Sequence, residues 1–346
     1  MKKLLLSVLA VFISCMILPA SAAVYTASSV TDCAQKSTSY DRFYRETEFS
    51  VLVPGLREGL VPQGLGYIAQ DNALLFAGYR TDQGASALIE VSLETGEILR
   101  QAELKTGSGE PYKGHAGGVC ATDKNIYVAN AGKLLRLPLI DFLNVSGAST
   151  CTFKEEIPVP VTASYCSFDG KNVWVGEFQY GSEYKTDASH KLRSADGLYQ
   201  AWVCAFPVDD DAESGLCEKR LSDGTLVPEI ILSTTERIQG MTVFAGRILL
   251  SQSYGRRNSS MLYAFEDVSG RAPDAQAQLG EYSIPIYLLD KNTRTDAVMM
   301  PPMSECLCTA GDKVYILFES GAKTYMNKDN PSVNPIDRVV TMTKIQ

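Results

Sequence analysis

The chain reads as an all-β protein, and three observations make a five-bladed β-propeller of four-stranded antiparallel blades the fold it predicts. A pair of short strands, the second more apolar, recurs five times along the sequence. Each copy is followed by room for two further strands. No long segment holds a 3.6-residue apolar period, which removes helical bundles and helical solenoids.

The five copies can be taken in order. They pair residues 63–67 with 73–78, 115–119 with 125–130, 164–168 with 172–177, 239–243 with 247–252, and 305–308 with 313–319. Their starts at 63, 115, 164, 239 and 305 are spaced by 52, 49, 75 and 66 residues. The first two spacings suit the ~40–50 residues of a propeller blade. Insertions stretch the later two, most visibly a polar segment at about 179–200.

Outer strands follow. In the first unit, residues 86–91 and 98–101 flank a turn containing Gly96 and read as a hairpin. Residues 133–137 and 151–154 fill those places in the second unit, 260–264 and 282–286 in the fourth, and 338–343 close the fifth. A lone four-stranded sheet buries too little to stand by itself. Radial packing lets each sheet cover the next and leaves only short edges. Ring closure needs a strand from the other end of the chain, and residues 49–53 can supply it. A sixth degenerate blade is the alternative count, and a sandwich or solenoid the alternative architecture.

The first 22 residues have the form of a signal peptide. Lys2 and Lys3 precede an apolar run from Leu4 to Leu18, and small residues stand at the −3 and −1 positions of a cut after Ala22. That run is shorter than the ~20 residues of a membrane span. A single propeller domain at 23–346, secreted or periplasmic, is therefore expected. Without Lys2 and Lys3 the chain holds 30 basic against 40 acidic residues. So acidic a surface argues against nucleic acid and anionic membranes as partners. A monomer is expected.

Beyond Cys15, eight cysteines remain, an even number that suggests disulfides in an exported protein. Cys204 and Cys217 are the candidate pair, because strand-like segments flank the acidic turn at 209–211 between them. Cys306 and Cys308, two apart on one strand, cannot comfortably bridge each other. A thiolate–imidazole metal site is disfavoured: there is no Cys-x-x-Cys, and the histidines are only His115 and His190. Ca²⁺ held by carboxylate oxygens is the one cofactor left to consider.

In a propeller the starts of the inner strands face the central channel. Alignment of the copies puts Gln63, Gln239 and Glu305 in one position, and His115 joins them if its turn is slightly longer. The ends of the second strands add Tyr79 and Arg80, Asn130, Glu177, Gln252 with Tyr254 and Arg256, and Glu319. This ring suits a polar small molecule or carbohydrate. A wet channel would also be polar without any ligand. Glu177 and Glu319 follow apolar strands, where a carboxylate is costly unless paired or used, and Arg80 and Arg256 are candidate partners. With His115, these two are the candidate catalytic groups. His190 lies in the polar insertion and reads as solvated. The insertion, with Tyr180, Tyr184 and Tyr199, reads as a lid or as an ordinary surface loop. No nucleophile elbow, phosphate loop or zinc-protease motif occurs.

Gln239-Gly240-Met241, Ser253-Tyr254-Gly255-Arg256, Pro301-Pro302-Met303-Ser304-Glu305 and Leu317-Phe318-Glu319-Ser320-Gly321-Ala322 resemble a set of secreted bacterial propeller proteins of unassigned activity. The resemblance covers most of 60–325 and implies export and fold, but no reaction. Cys306 stands where those proteins have glycine, so the channel lining is expected to differ there. The functional expectation is ligand binding at the channel mouth. The alternatives are hydrolysis of a sugar or lactone, assisted or not by a divalent cation, and a protein-interaction scaffold.

Overall fold

The computed structural model describes residues 22–31, 37–268, 270–327 and 329–345. The expected signal segment, apart from Ala22, lies outside them, as does Cys33. Five mainly antiparallel sheets stand in a ring, and the protein is a five-bladed β-propeller.

Blade 1 is Leu60–Ile68, Ala73–Arg80, Ala87–Ser92 and Ile98–Lys105, from the channel outwards. Blade 2 is Gly118–Ala121, Asn125–Asn130, Lys133–Pro138 and Glu155–Pro158. Blade 3 is Tyr165–Phe168, Asn172–Gly176, Ala201–Pro207 and Ile230–Thr234. Blade 4 is Ile238–Phe244, Arg247–Gln252, Ser260–Glu266 and Arg294–Met300. Blade 5 is Ser304–Ala310, Lys313–Phe318, Arg338–Met342 and, as its outermost strand, Glu48–Leu52.

That last pairing, Glu48 with Thr341 and Phe49 with Val340, closes the ring with the N-terminal strand that the sequence offered. A short helix, Asp41–Glu46, precedes it. Arg42 of this helix donates two hydrogen bonds to Asp296 on the outer strand of blade 4, at 2.8 and 2.6 Å, and so ties the closure to the neighbouring blade.

Two outer strands differ from the sequence reading, and for one reason. Ala148–Thr152 pairs in parallel with the outer strand of blade 1, not within blade 2. Tyr282–Leu288 pairs in parallel with the outer strand of blade 3, not within blade 4. In each case the long connection before a blade's fourth strand swings back and caps the open edge of the preceding blade. An uncapped outer edge would leave a row of backbone groups unpaired. Local alternation cannot show which blade a strand will cover.

Apolar wedges fill the spaces between blades. Leu75, Leu88, Val119, Ile126 and Val128 pack between blades 1 and 2, and Leu249, Leu262, Val298, Ile316 and Val340 between blades 4 and 5. At the centre the inner strands approach more closely than side chains allow. A Cβ on Gly64 would lie 2.6 Å from the Val119 nitrogen, and one on Gly118 would lie 2.3 Å from the Cys166 nitrogen. The inner-strand glycines thus set the narrow bore of a five-bladed ring.

The described cysteines are free, including Cys204 and Cys217. Cys204 pairs with Val175 and Ile231 inside blade 3, whereas the Cys217 N–H donates to Pro207 O, three residues further along that strand. Three extended residues span roughly 10 Å, beyond the ~7 Å Cα separation that a disulfide tolerates. Cys204 serves instead as a small buried apolar group beside Trp202 and Phe206.

Candidate functional site

Three of the five inner strands begin with an irregularity in their pairing. The register slips between Pro62 and Gly64, between Ile238 and Gly240, and between Ser304 and Leu307. Gln63, Gln239 and Glu305 occupy those slips. A bulge turns a side chain out of the sheet's alternation and re-aims it. Here all three are re-aimed into the channel mouth, so the aligned positions of the sequence do form one ring.

Glu319 follows Phe318, whose strand partner is Ser304, and the Glu319 N–H donates to Met303 O at 3.1 Å. The fold of one blade therefore sets Glu319 beside Glu305, with the two carboxyl groups in mutual hydrogen-bonding range. Neutral donors surround them. Gln63 Nε2 donates to Glu319 Oε2 at 2.8 Å, and Gln239 Nε2 donates to Glu305 Oε1 at 3.2 Å. Tyr325 donates to Glu319 as well.

Burial dominates the electrostatics of this pair. It pushes Glu319 up to about 7, while the hydrogen bonds from Tyr325 and Gln63 oppose the shift. Glu305 is raised well above its ordinary value, by burial first and then by the charge of Glu319. Two carboxyls so placed cannot both ionise cheaply; they share a proton and titrate as a unit.

His115 completes the chain. Its Nε2 lies 2.6 Å from Gln63 Oε1, and since Gln63 Nε2 donates to Glu319, that oxygen is an acceptor and His115 carries its proton on Nε2. One edge of the ring is open to the channel, yet protein surrounds most of it, and burial lowers its pKa from 6.5. The neutral ring stacks on Tyr79 at 4.8 Å. Asn130 Oδ1 accepts from the His115 backbone N–H at 3.0 Å.

Around this floor the mouth encloses about 600 Å³. Its wall is aromatic: Tyr79, Phe178, Tyr184, Tyr254 and Tyr325. The start of the 179–200 insertion braces that wall, with Tyr180 against Tyr254 at 4.3 Å and Tyr184 edge-on to Phe178 at 5.1 Å. Arg256 lies over the Tyr325 ring at 4.8 Å and donates to Asn330 O at 2.6 Å. At the bottom, the Cys306 thiol approaches Gly117 O and Gln239 O, each at 3.6 Å, and fills the waist of the channel.

Gln63, His115, Asn130, Gln239, Tyr254, Arg256, Glu305 and Glu319 all line this mouth. Glu177 and Arg80 do not. Glu177, 1% exposed, accepts from Thr162 N at 3.1 Å, from Trp202 N at 3.0 Å and from His190 Nδ1 at 2.8 Å. Its three partners hold it away from this mouth, so it does not pair with Glu319 as the sequence suggested. His190, read as solvated, is 4% exposed and stacks on Trp202 at 3.7 Å. Arg80 turns aside to pair with Asp82 and to donate to the Tyr25 hydroxyl. Tyr199 is buried away from the mouth and donates to Asp196 at 2.8 Å.

Tyr79 was expected in this ring and Tyr184 in an insertion that reads as a lid, whereas sequence reasoning missed Phe178 and Tyr325 as wall residues of the mouth. Tyr325 sits on a short 3-10 turn, Lys323–Tyr325, whose position depends on long-range contacts. Among the described residues no group of three or more His, Cys, Asp or Glu side chains is arranged to hold a metal ion.

No protein-family model matches the chain, and no curated protein does. Solved structures do. A GH43_1 enzyme from Xanthomonas citri complexed with xylose is 12% identical, with a TM-score of 0.42 over 88% of this chain and 92% of that one. An exo-β-1,3-galactanase from Phanerochaete chrysosporium is 9% identical, with a TM-score of 0.44 over 81% of this chain. Hydrazine synthase from Kuenenia stuttgartiensis is 10% identical, with a TM-score of 0.36 over 74% of this chain. The chain spans 59% of the galactanase and 55% of the hydrazine synthase. These likenesses concern the fold and carry nothing about chemistry.

Proposed function

We propose that the protein binds a polar small molecule or glycan in the channel mouth. One observation carries this reading: the three bulged positions turn amide and carboxyl groups into a cavity of about 600 Å³ walled by aromatic rings. Convergent polar groups on an apolar wall are the usual makings of a small-molecule site. Hydroxyls would meet Gln63, Gln239, Asn130 and the shared proton of Glu305 and Glu319. The apolar face of a sugar ring would lie on Tyr254 or Tyr325.

Hydrolysis is the second reading, because a proton-sharing carboxyl pair offers an acid and a base in one place. Glycosidic cleavage usually uses carboxyl groups about 5–5.5 Å or 6.5–9.5 Å apart. Glu305 and Glu319 are within hydrogen-bonding range of each other, which puts binding first. In keeping with its N-terminal sequence, we take the protein to act after export, as a monomer.

The test is calorimetric titration of the 23–346 protein with a panel of mono- and oligosaccharides, beside Tyr254→Ala and Gln63→Ala. Binding that both variants weaken at least about tenfold supports the mouth. Binding untouched by both would move the site elsewhere.

A further inference from the structure

We propose, on the reading of the mouth as a ligand site, that its ligand carries an ammonium group, which seats between Glu305, Glu319 and the tyrosine wall. The ligand class is thus a polar or polyhydroxylated amine, rather than a neutral sugar.

The argument begins with a missing counter-charge. Glu305 is 2% exposed and lines the cavity, and Glu319 sits beside it. Among the described residues, no Lys or Arg nitrogen forms an ion pair with either carboxylate. What touches them is neutral: Gln63, Gln239 and the Tyr325 hydroxyl. Buried carboxylates elsewhere in the protein are supplied with partners, as Glu90 is by Arg100 at 2.6 Å and Glu177 by its three donors. A neutral polyol gives the pair's buried negative charge nothing to pair with. An ammonium group does, by charge-assisted hydrogen bonds.

The walls point the same way. Tyr79, Tyr184, Tyr254, Tyr325 and Phe178 turn toward one cavity. Aromatic faces over a carboxylate floor stabilise a cation from two sides, by ring quadrupole and by charge. The groups facing the pair are His115, neutral and bound to Gln63; Tyr79 and Tyr325, whose hydroxyls lie 3.4 Å apart; and Arg256 over the Tyr325 ring. Burial raises both tyrosines, so they stay protonated, and Arg256 is the one cation among these groups. Arg256 lines the same mouth and its charge draws Glu319 down, but it forms no ion pair with either carboxyl, which leaves the floor to the ligand and offers the rim to an anionic or hydroxyl group.

A pH dependence follows. An alkylammonium stays charged up to about pH 10, whereas the pair releases its first proton near neutrality, with Glu319 at about 7 and Glu305 held higher. Ammonium binding therefore strengthens from pH 5.5 to pH 8 and expels a proton.

The test compares glucamine, a polyhydroxylated alkylamine, with sorbitol, its neutral counterpart, by titration calorimetry against the 23–346 protein and Glu305→Gln. A preference for glucamine of about tenfold or more at pH 8, shrinking at pH 5.5 and lost in Glu305→Gln, supports the proposal. Thermal unfolding checks that the variant is folded, and Glu319→Gln serves in its place if it is not. Equal affinities at pH 8, or a preference that both carboxamide variants retain, would overturn it. Should neutral saccharides of the panel bind while glucamine does not, the ammonium is wrong and the mouth survives as a site. Should neither glucamine nor any saccharide bind, both ideas fall.

Discussion

At the starts of the five inner strands the channel opens into about 600 Å³ around Glu305 and Glu319; at their ends the same strands leave about 380 Å³ around Cys120, Cys308 and Thr309. Cys306 closes the waist between the two. The second mouth is polar too, but Thr309 and Asp169 there are spent locally. Thr309 shares a hydrogen bond with Thr242 at 2.9 Å and donates to Val243 O at 3.0 Å. Asp169 accepts from Lys171 N, Asn172 N and Trp174 Nε1 at 2.6–2.8 Å. A wet channel needs only that. The first mouth holds a carboxyl pair that, among the described residues, has no ion-pair partner, beside side chains re-aimed by bulges that the strand ends lack, and this is the difference between lining and site.

The comparison can be broken in several ways, beginning with the largest effect. If Glu177 is held by its three partners and is no part of the first mouth, Glu177→Ala strands three buried donors and lowers stability by roughly 3–5 kcal/mol. Chemical denaturation measures this, and any ligand that still binds the folded fraction with unchanged affinity separates Glu177 from the site. Gly118 stands between the inner strands of blades 2 and 3, against the backbone of Tyr165 and Cys166. Gly118→Ala sets a methyl against the Cys166 backbone and costs about 2–3 kcal/mol, a loss visible as an earlier unfolding midpoint with or without ligand.

Glu305→Gln acts on the first mouth alone and carries a sign. The folded pair holds its protons above the ordinary 4.5, up to about 7 for Glu319. The unfolded chain therefore binds fewer protons between those values, and the wild type loses stability as pH rises through that window. The variant keeps Glu319 but is rid of the buried Glu305 carboxyl, and should be about 1–3 kcal/mol more stable than wild type at pH 8 and about equal at pH 4. Unfolding curves at the two pH values decide it, and a variant destabilised at pH 8 would contradict the charge argument. Cys308→Ala, in the second mouth, should change first-mouth affinity by less than about twofold. Arg80→Ala comes last: its surface pair with Asp82 is worth about 0–1 kcal/mol, and ligand titration should not register its loss.

How much of this was legible in residues can be argued case by case. Gln63, Gln239 and Glu305 were found because repeats place equal positions at equal depth, and the ring follows from alignment alone. Glu319 was found as a carboxylate after an apolar strand. The same rule misplaced Glu177, because a costly carboxylate is satisfied either by use or by partners. The partners here, His190 and the Trp202 N–H, come from an insertion and from the next strand. Cys204 and Cys217 looked joinable because they flank a turn, but strand register sets them three residues out of step.

By itself the sequence determined the class of fold, the five units and the closing strand, since strand alternation and repeat spacing are local properties that survive without coordinates. It also placed the inner-strand starts Gln63, Gln239 and Glu305 at the channel. Tertiary structure decided which of them share a proton and which are spent on neighbours, and that a cysteine closes the channel's waist. It also decided that two long connections cap the blades before them. Those outcomes depend on bulges, on register and on contacts between residues far apart in the chain, and none of these is written in the periodicity of any one segment.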